Sequence, residues 1–129
     1  MAKGYQKNQE RKDQVALLGK TLMRRSGRRC ELCGAQGVSM AVTEIEPMPS
    51  VPDEDHAILI CGECRMLMGN SAADPNRFRF LESVIWSDIP PVQATAVRLC
   101  RELAEQNVDW AAELLDSVYL NPGTEEFLE

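Results

Sequence analysis

The chain has 129 residues and a formal net charge of −6, with 44% hydrophobic and 26% charged residues. A chain of this size buries roughly two thirds of its unfolded-chain surface, which suits one domain with a modest core. The longest strictly apolar run, Ala57 to Cys61, is far short of a bilayer span. No apolar stretch precedes Val15, so neither a secretory signal nor a lipid anchor is expected, and a cytoplasmic address is.

The charge is unevenly placed. Residues 1–29 hold nine Lys or Arg and two acids, for +7, whereas residues 30–129 hold five Arg and 18 acids, for −13. An acidic body repels nucleic acid on average, yet a basic arm can still contact phosphate. The alternative is a basic segment folded against its own acidic body.

The first five residues read as frayed. From about Gln6 to Arg25 the chain is helix-compatible, with Val15, Leu18 and Leu22 at helical spacing. Ser26-Gly27 ends this helix, with basic residues in its last turn. Residues 1–25 therefore form a basic helical segment. Lys20, Arg24, Arg25, Arg28 and Arg29 are its candidate nucleic-acid contacts; helix-dipole compensation is the competing reading of the arginines.

Residues 26–70 carry two Cys-x-x-Cys pairs, Cys30/Cys33 and Cys61/Cys64, separated by 27 residues. Two intervening residues let a tight turn aim two thiolates at one ion. Gly34 supplies the left-handed exit from the first turn, and Gly62 is expected to allow close backbone approach in the second. Four sulfurs in a tetrahedron make a closed structural Zn2+ site, which has no open position to activate water. An iron–sulfur cluster could use the same ligands. Thioredoxin-like chemistry needs one such pair within a βαβ unit, and none is visible. A tetrathiolate zinc carries net −2, and Arg28, Arg29 and Arg65 flank the ligands. The fifth cysteine, Cys100, reads as a small buried hydrophobe.

Between the pairs, Val38 to Ile45 is β-branched and alternating, a strand. Glu46 to Asp55 holds three prolines and four acids, an exposed loop. His56 to Ile60 reads as the second strand, and Arg65 to Asn70 as a short helical turn. Knuckle, strand, loop, strand, knuckle is the outline of a zinc ribbon or treble clef.

Residues 71–121 read as a helical region. Asp74-Pro75-Asn76 is a turn or helix start, and residues 77–86 are apolar enough to pack on the zinc module. Ser87-Asp88-Ile89-Pro90-Pro91 marks a helix N-terminus. Val92, Ala96, Cys100 and Leu103 share one face of a helix running to about Gln106. Asp109 is expected to cap a second helix carrying Trp110, Leu114 and Val118, stopped by Asn121-Pro122-Gly123. The two should form an antiparallel hairpin. Trp86 and Trp110 are expected in the core, and residues 122–129 as a loose acidic tail. The fold class is thus α+β: a four-cysteine zinc ribbon or treble clef with a short β-hairpin, an N-terminal helix and a C-terminal helical hairpin.

Arg25 to Gly34, Ala57 to Cys64, Trp86 to Pro90 and the closing helices together resemble the PhnA-like alkylphosphonate-utilisation proteins over residues 20–121. The resemblance implies a bacterial cytoplasmic zinc-binding protein. Many members continue into a small C-terminal β-barrel that this sequence does not contain. The zinc module is also similar to treble-clef HNH endonucleases, which place a histidine base at the end of the first strand. The matching segment, Thr43-Glu44-Ile45-Glu46-Pro47, has no histidine. Only Glu44, Glu46 and the single histidine, His56, could supply acid–base chemistry; otherwise His56 is solvated beside Asp55 and the glutamates form an exposed strand edge. No phosphate-binding glycine loop or hydrolytic triad is present. No catalytic residue is therefore assigned. The expected function is a non-enzymatic adaptor binding protein or nucleic acid, or a homo-oligomer. A divergent HNH-like nuclease or a phosphonate-metabolism hydrolase is the alternative.

Overall fold

The computed structural model describes residues 2–70 and 72–128, with side chains described from residue 9 onward. Met1, in the stretch expected to fray, and Glu129, the last residue of the expected tail, lie outside the described residues. Among the described residues, seven α-helices and one two-stranded antiparallel sheet follow the order α1 (Ala2–Leu17), α2 (Gly19–Ser26), β1 (Met40–Glu44), β2 (Ala57–Cys61), α3 (Gly62–Met68), α4 (Leu81–Val84), α5 (Pro90–Glu105), α6 (Asp109–Ser117) and α7 (Pro122–Leu128). The α+β class, the hairpin and the flanking helices are as expected.

The N-terminal helix begins earlier than expected and is broken where one continuous helix was expected. Residues 2–5 belong to α1 rather than to a frayed end. The break falls at Leu18, directly before Gly19, a weak helix former. The amide of Leu18 bonds the carbonyl of Val15 at 3.0 Å, a tightened last turn.

Strand β2 explains the apolar run in the sequence. Met40 pairs with Cys61 and Glu44 with Ala57, and all five β2 residues are buried. Ile58 and Ile60 face the main core with Leu81, Ile85, Val92 and Val97. Ala57 and Leu59 face the other way, onto Leu22 of α2. A two-stranded ribbon is marginal alone. Here helices cover both faces of its inner strand.

Helix α5 is the centre of the second half, in contact with α4, α6, α7 and β2. Its one buried amide, Gln93, organises the surrounding backbone. Gln93 Nε2 donates to the carbonyls of Ile85 (3.0 Å) and Tyr119 (2.9 Å). Its Oε1 accepts from the Asn121 backbone (3.0 Å) and side-chain (3.0 Å) amides and from Thr124 Oγ1 (2.7 Å).

Further local expectations are corrected in the second half. Residues 122–128 are helix α7 rather than a loose tail, with Thr124 and Phe127 buried. Pro122 opens this helix, a first-turn position where its missing N–H costs nothing. Gly123 is needed there, because a Cβ would stand 2.9 Å from Pro90 Cγ. Helix α6 stops at Ser117, before the expected Asn121, and Val108 rather than Asp109 occupies its cap. Trp86 is half exposed. Leu81 and Ile85, four apart, take the inward face of this stretch, and the next residue is rotated about 100° away. Trp110 is only partly buried, and the Arg79 guanidinium stands 4.6 Å above its ring. Cys100 is fully buried, as expected. Among the described residues, no helix is long and apolar enough to cross a membrane.

Candidate metal centre

The backbone sets the four sulfurs before any ion is considered. In the first turn, the amide of Cys30 bonds the carbonyl of Ala35 at 3.0 Å, and the amide of Gly34 bonds the carbonyl of Cys30 at 3.0 Å. Gly34 has φ +80°, the left-handed exit its sequence position suggested. In the second turn, Cys61 ends β2 and Cys64 lies in the first turn of α3. Strand-to-helix geometry therefore aims both sulfurs to one side. Gly62 is not required for a close approach, since a Cβ there would meet open space.

The four Sγ atoms lie within 4.8 Å of one another. Cys30 and Cys64 are 3.7 Å apart, as are Cys33 and Cys61. Disulfide sulfurs would be about 2.05 Å apart. Sulfurs placed about 2.3 Å from a shared tetrahedral centre stand about 3.8 Å from each other. The observed spacing fits a four-thiolate metal site. Cys30, Cys61 and Cys64 are buried, and Cys33 faces solvent.

The Cys30 thiol is pulled down to about 4, first by its hydrogen bond with Cys64 and then by backbone amides. The Cys61 N–H is 3.3 Å from Cys30 Sγ. Cys64 is pushed well up by its hydrogen bond with Cys30 and by burial. Burial also raises Cys33.

Glu31, between the first two cysteines, locks the turn to the sheet. Its amide bonds the Leu59 carbonyl at 2.8 Å, and its Oε1 accepts from the Leu59 amide at 2.8 Å. Both carboxylate oxygens accept from Arg25, at 2.7 and 2.9 Å. Arg25 also donates to the carbonyls of Glu54 and Ala57, both at 2.8 Å. This carboxylate is nearly inaccessible. Sequence reasoning missed its role. The available signal was an acid between two metal-ligand candidates, six residues after an arginine.

The five candidate phosphate-contacting residues divide. Arg25 is committed to the fold. Arg29 faces the Gln36 side chain, whose oxygen, turned toward it, accepts at 3.2 Å from Nε and from Nη2. Lys20, Arg24 and Arg28 gather, with Met23 and Gly27, around one open hollow of about 540 Å³. The turn that brings Arg28 there is unusual. Gly27 N bonds Arg24 O (3.3 Å) and Arg28 N bonds Met23 O (2.9 Å), a full Schellman cap. That cap needs a left-handed Gly27, at φ +67°. It does not need Arg28 to follow at φ +63°, which costs about 1 kcal/mol for a residue with a Cβ.

The candidates for acid–base chemistry do not converge. Glu44 pairs with Arg11 at 2.7 and 3.0 Å, so it is not a free strand edge. Arg11 also bonds the carbonyls of Pro49 and Ser50, pinning the loop after β1. His56 is half-buried rather than solvated. Its ring lies 5.0 Å from that of Phe127, and its Nδ1 is buried without a partner. Helix α7, absent from the sequence reading, covers it. Among the described residues, the four cysteines are the one group of three or more potential ligands brought together. No protein family, curated protein or solved structure matches this chain.

Proposed function

We propose that this chain is a non-catalytic adaptor whose four-cysteine centre holds one structural Zn2+. The observation that carries it is the sulfur geometry: four thiols within 4.8 Å, in a chain that forms no disulfide among them. Zinc accepts four thiolates tetrahedrally and leaves no position for substrate or water. Such an ion ties the first turn to the strand-to-helix corner. Its binding free energy becomes folding free energy. The adaptor reading is supported by a centre with no open position and by the basic residues of α2 and the turn after it. The PhnA-like resemblance, and with it a bacterial cytoplasmic setting, is part of this proposal. It rests on the order and spacing of the motifs.

Replacing Cys61 with Ser tests the reading. The variant should lose zinc and the cooperative melting of the hairpin half. A C61S protein that keeps its circular dichroism and melting temperature would falsify a structural role for the metal.

A further inference from the structure

We propose that the hollow at the end of α2 is a phosphate-contacting site for a nucleic-acid backbone, with Lys20, Arg24 and Arg28 as its cations. This deepens the adaptor reading and rests on it. Three observations carry the inference.

The first is that the side chains of these three residues are exposed and make no hydrogen bond or ion pair with the described residues. The protein has 20 acids against 14 Lys and Arg. Five other arginines find partners: Arg11, Arg25, Arg77 and Arg79 pair with glutamates, and Arg98 binds two carbonyls, whereas Arg65 and Arg101 stand singly rather than clustered around a hollow. Three adjacent cations with no partner among the described residues are available to an external anion.

The second is placement. Lys20 and Arg24 are four apart on α2, one helical turn, about 6 Å along the axis. Arg28 lies beyond the cap, and its left-handed backbone brings it to the same hollow. A strained residue that the cap does not need points to a use for its side chain. Dipole compensation accounts for Arg24 in the last turn, but not for Lys20 in the first.

The third is what lines the hollow. Met23 is its one apolar side chain. Protein interfaces are anchored by buried aromatic and aliphatic groups. Three cationic heads around a hollow with a single apolar side chain suit separated phosphates better than a folded protein face. Residues 30–129, with 18 acids against five Arg, repel a polyanion, which favours contact on the basic N-terminal side that carries this hollow. Phosphate contacts of this kind position a protein without reading sequence.

The test is a salt titration of the full zinc-loaded chain against a labelled DNA duplex and a labelled single-stranded RNA. Three phosphate contacts predict a log–log salt slope of about −3 on duplex and about −2 on a single strand. On duplex this is roughly a forty-fold loss of affinity between about 50 and 200 mM salt. Each of Lys20→Gln, Arg24→Gln and Arg28→Gln should reduce the duplex slope by about one unit. Arg101→Gln removes an exposed charge from α5 and should leave the slope unchanged. Four results overturn the inference: no binding at low salt, equal loss in R101Q, binding confined to anionic phosphatidylserine vesicles, or binding confined to an acidic peptide. Zinc content on the same samples keeps the two claims apart. Full zinc without binding overturns this inference alone, whereas absent zinc overturns the proposed function whatever the binding.

Discussion

The two halves of this molecule solve the same problem with different materials. The first half is a two-stranded ribbon and two tight turns, flanked by α1, α2 and α3. Its inner strand buries five residues, too few to hold the turns in place alone. The second half is built on α5, which buries ten residues and packs against three other helices. Under the proposed function, one half depends on a metal cross-link at its corner and the other on close packing. They meet in a shared core, where Cys30, Cys61 and Cys64 lie in one apolar cluster with Leu81, Ile85 and Val97. The difference teaches where each half is vulnerable.

Removing the metal should have the largest effect. Structural zinc contributes on the order of 10 kcal/mol of apparent binding free energy near neutral pH. A strong chelator should therefore collapse the hairpin half. Much of the helical dichroism of α5 and α6 should remain, because their contacts are apolar. Hydrogen exchange of the β2 amides against those of α5 measures the contrast directly. Equal loss of protection in both halves would erase it.

Each half also contains one buried polar hub. Glu31→Ala in the metal half strands the Arg25 guanidinium and the Leu59 amide. A cost of about 3 kcal/mol is expected in denaturant unfolding of the zinc-loaded protein. Gln93→Leu in the helical half leaves the carbonyls of Ile85 and Tyr119 and the donors of Asn121 and Thr124 without their partner. About 2 kcal/mol is expected there, with α7 loosened first. A Gln93 variant that leaves α7 protected would show that Phe127 and Arg98 hold that helix by themselves.

The smallest effect concerns the fifth cysteine. Burial pushes the Cys100 thiol from 9.0 up to about 11. Above about pH 9 the unfolded chain loses this proton and the folded chain keeps it. Stability therefore falls as pH rises from about 9 toward about 11. A Cys100→Ala variant, compared across that range, should show a shallower decline than the parent. Cys100 should also react with an alkylating reagent more slowly than Cys33 in metal-free protein, since the thiolate is the reactive form.

The same division governs how much the sequence revealed. The metal centre was legible because its ligands announce themselves by residue type and spacing. Gly34 and the aliphatic run of β2 were legible for similar local reasons. Helix α5 could be read from Pro90 and its periodic apolar face. What could not be read depends on distant partners. Trp86 carries the same apolar character as Ile85, and only the packing of α4 decides which turns inward. Residues 122–128 look like an acidic tail until Thr124 meets Gln93 and Phe127 meets His56. Arg24 and Arg25 are adjacent and chemically identical, yet one is bound to a buried carboxylate and the other faces solvent. Local pattern cannot separate them, because the distinction is made by Glu31 and the strand beyond it.

The most direct test of the account is the metal content of the purified chain, with cobalt exchanged into the same site. One zinc per chain is expected, together with the visible absorption of tetrahedral tetrathiolate cobalt, both lost in a Cys30→Ser, Cys64→Ser double variant. Substoichiometric zinc with oxidised cysteines, or an iron–sulfur chromophore in its place, would contradict the structural zinc on which the proposed function rests.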